Sequence, residues 1–356
     1  MRLYTFCPQP PEGGFPKPIE APIRGLGAIL SAGIHRLKTV ALFALLYPVL
    51  LSCQNLVTEI DPSRLPQIQS KLVVNGYLSP QDTVLAVSVS SSQTVLGDIV
   101  TDSVNTVRGA TVTLTSEGKT VTLAYNPEQR VYTADARPFP ILAGKTYSIQ
   151  VSVAGYETVS SSCTIPKAVP VSEIKLDSNR SFSGPYIDSG WVYTVRAVWQ
   201  DPAGETNYYR VAGYAECINR IPRTPTAHID STTPRVLLRG IIGFGRQDQF
   251  ISDQNQDGQL LLSARGEVPS FFNYSFYDPT TQATYSGDYP YAKPLTIRIS
   301  VLQTDENYFN YHRARQQQRQ SANNPFAEPV LMPTNITGGL GCFAGYNRST
   351  RVLLVR

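Results

Sequence analysis

After residue 70 the chain is dominated by alternation of apolar and polar residues at period two. The alternation is cleanest at 110–115, Ala-Thr-Val-Thr-Leu-Thr, and it predicts a strand with one buried face. Glu117-Gly118 follows as a turn dipeptide, and 121–125 runs back, so the pair predicts a β-hairpin. Further strands are expected at 71–78, 83–90, 131–134, 146–153 and 158–163. Short β-branched runs divided by turn residues suit a β-sandwich.

A joint rich in proline, Pro166-Lys167-Ala168-Val169-Pro170, separates this region from a second one. There the alternation resumes at 191–199 and 207–214, with Asp201-Pro202-Ala203-Gly204 as a turn between them. More strands are expected near 235–242, 259–264, 295–302 and 350–355. One helix is predicted near 304–321. Thr304 is placed to cap it, Asp305 and Glu306 suit its positive N-terminal end, and Arg313, Arg315 and Arg319 suit its C-terminal end. Tyr308, Tyr311 and Arg315 share one face and are expected to pack on the sheet. The expected fold class is therefore mainly all-β, with domains at 70–166 and 170–356 and one C-terminal α-helix.

A different pattern precedes residue 70. Arg36 and Lys38 flank an apolar run over 40–51. A stable transmembrane helix needs about 20 apolar residues, so the run is too short to span and has the length of a signal-peptide core. It ends in Leu50-Leu51-Ser52-Cys53, which resembles a bacterial lipobox. Small Ser52 leaves room for a peptidase, and the Cys53 thiol is the nucleophile that takes up diacylglycerol. Residues 1–52 are thus expected to be a leader, Cys53 a lipid attachment site holding the chain to a membrane, and 53–69 a tether. Residues 1–34, rich in Pro and Gly, are long for a basic leader region, so translation is expected to start after them.

This reading changes the charge. The whole chain of 356 residues has 31 basic and 27 acidic side chains and a net charge of +4. The segment before Cys53 holds Arg2, Lys17, Arg24, Arg36 and Lys38 against Glu12 and Glu20, so the remainder is close to neutral. Nucleic acid is not an expected partner. Cys163, Cys217 and Cys342 are far apart with no C-x-x-C spacing, so no zinc site is expected; one disulfide among the three stays open.

Little points to catalysis, and the chain is read as no enzyme, with no catalytic, cofactor or metal residues. Asp253-x-Asn255-x-Asp257-Gly258 opens like an EF-hand loop, but Ala264 stands where a bidentate Glu is required, and the stretch reads as a turn rich in Asx residues. His228 and His312 lie on different elements, and His312 is expected at the surface. Glu328, between Pro325 and Pro329, is a candidate ligand contact or a turn tie that accepts backbone hydrogen bonds. The aromatic run from Phe271 to Tyr291 is the other candidate. Gly287, Pro290 and Pro294 place Tyr289 and Tyr291 on a loop, where they could contact a glycan or a protein partner.

Two resemblances complete the reading. Gly109-Ala110-Thr111-Val112, Gly144-Lys145-Thr146-Tyr147 and Ala154-Gly155-Tyr156 resemble the carboxypeptidase-regulatory-like, immunoglobulin-like sandwich. Lys71-Leu72-Val73-Val74-Asn75-Gly76, Asp201-Pro202 with Asn207-Tyr208-Tyr209, Asn324-Pro325-Phe326-Ala327-Glu328-Pro329, Thr334-Asn335-Ile336 and Gly338-Gly339-Leu340-Gly341 resemble a Bacteroidota lipoprotein family, domain of unknown function 4249. That resemblance implies a cell-envelope lipoprotein associated with TonB-dependent outer-membrane receptors. The expected function is a non-enzymatic binding or accessory component of such a transport system, anchored at the outer membrane by Cys53, with a glycan or peptide as ligand. The alternative is a glycan-binding adhesin or surface structural protein.

Overall fold

The computed structural model describes residues 69–92, 105–180, 191–220, 235–245, 247–269, 271–278, 282–290, 293–321, 324 and 326–355. The first region forms β1 (Leu72–Leu78), β2 (Val84–Ser91), β3 (Thr111–Ser116), β4 (Lys119–Asn126), β5 (Val131–Asp135), β6 (Thr146–Ser152) and β7 (Val159–Thr164). Each reflects its period-two pattern. In β6 the side chains of Tyr147, Ile149 and Val151 are buried and those between them are exposed. The β3–β4 hairpin turns on Glu117 and Gly118, both at positive φ (49° and 77°), the geometry whose twist matches its strands.

The second region forms β8 (Val171–Arg180), β9 (Trp191–Gln200), β10 (Tyr208–Arg220), β11 (Arg235–Ile241), β12 (Phe250–Ser252), β13 (Leu260–Leu262) and β14 (Gly266–Glu267). It continues with β15 (Phe271–Asp278), β16 (Ala283–Pro290), β17 (Thr296–Thr304), α1 (Glu306–Ser321) and β18 (Leu340–Leu354). The protein is thus mostly β with one helix among the described residues, in a sandwich-like layout.

One hydrogen-bonded path runs β11-β10-β17-β18-β1-β2-β5-β4-β3-β6-β7. Leu72, Val74, Leu85, Val87, Val112, Leu114, Ile149 and Val151 meet in one core with Phe343 and Ile336. A second core collects Trp199, Tyr209, Val211, Ile297, Ile299 and Val301, with β8 and β9 packed over it. Val169, within the joint at 166–170, lies in the second core, and Ile336 and Phe343, far beyond the joint, lie in the first, so chain from both sides of the joint builds the first of the two cores.

Strand β18 connects them. Its first part, from Leu340 to Gly345, pairs parallel with β1, and its later part, from Tyr346 to Leu354, pairs antiparallel with β17. The sequence alternation at 350–355 marks only its last third. The earlier part is buried on both faces: Phe343 enters the first core, while Cys342 and Ala344 lie beneath α1 with Tyr308. A strand covered on both faces loses the alternation that would announce it.

Candidate functional site

Helix α1 crosses the outward face of the sheet where β10, β17, β18 and β1 run side by side. Asp305 caps it: Oδ1 accepts from the Tyr308 N–H at 2.8 Å, and Oδ2 from the Gly345 N–H at 2.7 Å. Because Gly345 belongs to β18, the cap also fastens helix to sheet. Burial pushes the Asp305 carboxyl up to about 6, against the lowering effect of those backbone bonds. Thr304, the expected cap, is instead buried at the end of β17, where its hydroxyl donates to the Tyr208 carbonyl at 3.3 Å. The buried side chains of α1 are Tyr308, Phe309 and Ala314. Of the face expected, Tyr308 is buried and Tyr311 packs partly buried beside Cys342 and Ala344, while Arg315 is exposed; the face extends instead through Phe309, which packs on Tyr208 (ring centroids 4.9 Å apart) and Phe250 (5.9 Å).

Alternation along β10 sends Tyr209, Val211 and Ala215 into the core and leaves Arg210, Ala212 and Tyr214 on the helix side. There an open groove of about 450 Å³ remains between α1 and β11. Ala212 and Ser300 contribute to its floor. Tyr308 and His312 of α1, with Tyr77 and Tyr346, form one wall; Tyr214, Arg239 and Ile241 form the other. Arg210 and Arg348 complete the lining. Its volume lies within the range of small-ligand sites.

Each wall is fixed by contacts. The His312 ring lies 4.2 Å from that of Tyr308 and 4.8 Å from that of Tyr77. Burial, then the positive charges of Arg210, Arg315 and Arg319, holds this imidazole down at about 4, so it is neutral at physiological pH. His312 is therefore no surface group; its Nε2 is buried with no hydrogen-bond partner among the described residues. Arg239 is ion-paired with Glu216 at 2.8 Å and sits 4.3 Å over the Tyr214 ring. Arg210 donates to the Tyr308 hydroxyl at 2.9 Å and to Gln249 Oε1 at 3.2 Å, both neutral acceptors.

The residues singled out from sequence lie elsewhere. Cys53, Tyr291 and His228 are outside the described residues. Tyr289 is not on a loop: it lies in β16, paired with Phe272 of β15, and Pro290 closes that strand's end opposite Phe271. Glu328 is exposed and ties no turn among the described residues. Asn324 does that work, its Oδ1 accepting from the Phe326 N–H at 3.0 Å and its carbonyl from the Ala327 N–H at 3.1 Å. Asn335 is structural: Oδ1 accepts from the Phe343 N–H at 3.0 Å and Nδ2 donates to the Phe343 carbonyl at 2.6 Å. Cys163, Cys217 and Cys342 are all buried, and Cys163 and Cys342 are free thiols.

Asp253 and Asp257 do come together, with Asp201 as a third partner that the local motif did not contain. One oxygen of each lies within 4.8 Å of the others, and these three could hold a cation. Each carboxylate is also a clamp. Asp201 accepts from the Tyr209 hydroxyl and from the Gly258 N–H at 2.9 Å. Asp253 accepts from the Asn207 N–H at 2.8 Å and Asp257 from the Gly204 N–H at 2.9 Å. Burial first, then the charges of Asp201 and Asp257, raises the Asp253 carboxyl against the lowering effect of the Asn207 bond. The turns at 201–204 and 253–258 are thereby locked together.

No helix among the described residues is long and apolar enough to cross a membrane. Comparison with curated proteins finds none that matches, and comparison with solved structures likewise finds none. The match that does emerge is to a family model covering residues 56–352. The sheet, the helix and the groove all fall within that span, and the chain belongs to the family described as Domain of unknown function (DUF4249).

Proposed function

We propose that this chain is a lipid-anchored, non-enzymatic binding protein of the bacterial cell envelope, held at the outer membrane through Cys53 and accessory to a TonB-dependent transport system. The groove between α1 and β11 is its ligand-binding surface. The observation that carries the reading is the composition of that groove: arginine and tyrosine side chains around a floor of small residues, with a neutral histidine packed among tyrosine rings. The nearest hydroxyl nucleophile, Ser300, shares a hydrogen bond with Thr350 at 2.8 Å, which supports binding over catalysis. The apolar run ending at Ser52-Cys53 supports the anchor. An immunoglobulin-like identity for the first sandwich is supported by Tyr147, whose hydroxyl reaches back to the Pro140 carbonyl at 3.0 Å.

Two measurements test this. Cys53→Ala should move the protein from the membrane fraction to the aqueous fraction; retention in the membrane sinks the anchor. Affinity capture of the tagged full chain from detergent-solubilised membranes should recover a TonB-dependent receptor above a Cys53→Ala control, and its repeated absence overturns the accessory role.

A further inference from the structure

We infer that the groove between α1 and β11 recognises an acidic saccharide, a ligand of one or two sugar rings bearing a carboxylate. The inference rests on the binding role proposed for this groove and names the class of ligand.

The charge of the site is the first observation. Arg210 and Arg348 form no ion pair among the described residues, and the bonds of Arg210 go to neutral oxygens. Arg348 lowers the Asp82 carboxyl electrostatically without pairing to it, and burial leaves that carboxyl raised on balance. Glu216 already receives Arg239 at 2.8 Å and lies 3.9 Å from Arg298. Two guanidinium groups thus line the groove outside any ion pair among the described residues, that of Arg210 also lying 5.5 Å over the Phe250 ring. His312 sits in the same field inside the wall: burial first, then the charges of Arg210, Arg315 and Arg319, hold its proton off. A planar guanidinium fork matches a carboxylate with two parallel hydrogen bonds.

The floor is the second observation, and it separates a sugar from an extended peptide. An extended peptide binds a sheet by adding to an open edge. The floor here is the middle of a sheet, where β10 is paired to β11 and β17, and β17 to β18. Their backbone groups are taken, so a ligand resting on that floor meets side chains only. Those on offer are guanidinium groups, tyrosine rings and hydroxyls. Arginine forks, aromatic faces for a ring and donors for hydroxyls are the complement of a sugar acid. The volume of about 450 Å³ holds one or two rings.

The test is isothermal titration calorimetry of the full chain, extracted in detergent, with digalacturonate and diglucuronate. Saturable binding of at least one is expected, weakening as salt is raised. The fully methyl-esterified dimer, neutral in charge, should bind about tenfold or more weakly. Arg348→Gln should lower affinity by about tenfold or more with an unchanged melting temperature, because Arg348 is exposed on β18. Lys119→Gln, a charge removed from the β3–β4 hairpin, should leave affinity unchanged. No heat with either acid overturns the inference, as does equal binding of the ester. Preference for a hexaglutamate peptide over both sugars assigns the groove to peptide and also overturns it. Receptor capture is read independently, so failure here leaves the accessory role standing, and failure there leaves the groove's ligand class standing.

Discussion

Replacing Gly341 by Ala is expected to cost more than any other single methyl added to a glycine of this sheet. Gly341 has φ of 106°, and a Cβ built on it would stand 2.1 Å from the Val74 carbonyl oxygen, its register partner across β1 and β18. Two penalties combine. A non-glycine residue at positive φ costs roughly 1–2 kcal/mol. Forcing atoms into a packed interior costs roughly 1–3 kcal/mol more, and here the obstacle is backbone that no rotamer change can clear. A loss of about 4 kcal/mol is expected, which at about 2–4 °C per kcal/mol for large domains lowers the melting temperature by roughly 8–16 °C. Gly144→Ala separates the two penalties. Its φ is 78°, but no heavy atom lies within 4 Å of the added Cβ, so it bears only the conformational cost, roughly 1–2 kcal/mol. Thermal unfolding of both variants by circular dichroism is the assay. If Gly341→Ala melts within about 2 °C of Gly144→Ala, the close parallel contact of β1 with β18 is not what holds the two cores together, and the reasoning fails.

Asp305 should make stability depend on acidity. Its folded value of about 6 lies above its ordinary 3.8, so between those values the folded state holds a proton that the unfolded state has released, and stability falls as pH rises through that window. Asp305→Asn keeps an acceptor for the cap and should flatten the slope of urea midpoints between pH 4 and 6; an unchanged slope refutes the assignment. Tyr147→Phe removes the hydroxyl that accepts from the Leu142 N–H at 2.8 Å and donates to the Pro140 carbonyl, leaving both backbone groups unpaired. A loss of about 1–3 kcal/mol in urea unfolding is expected, and no loss would show that water replaces the hydroxyl freely.

The elements that could be read from the chain are those whose signal is local. Strand β6 repeats its buried face every second residue, and the β3–β4 turn is written in Glu117-Gly118. The helix was legible from its end charges. Its cap was misplaced by one residue because Thr304 and Asp305 are both capping types, and only the fold shows that the Thr304 hydroxyl is already bonded to Tyr208. Tyr289 was misread for a related reason. Pro290 looks like loop punctuation, yet it is the terminal residue of a strand, a position where a missing N–H does little harm.

By itself the sequence determined a β-rich chain with one helix, a near-neutral body after a basic N-terminal segment, and the family pattern that spans it. Only the tertiary structure decided the parallel pairing of β1 with β18 and the groove beneath α1. Tyr77, Arg210, Arg239, His312 and Arg348 come from five separate elements, with no spacing that a local pattern could carry. The carboxylate cluster shows the same limit: Asp253 and Asp257 advertise themselves as neighbours, while Asp201 joins them only because its turn is packed against theirs. A strand or a turn is a property of a few consecutive residues, but a site is made where distant elements converge, and the cores that bring them together set that convergence.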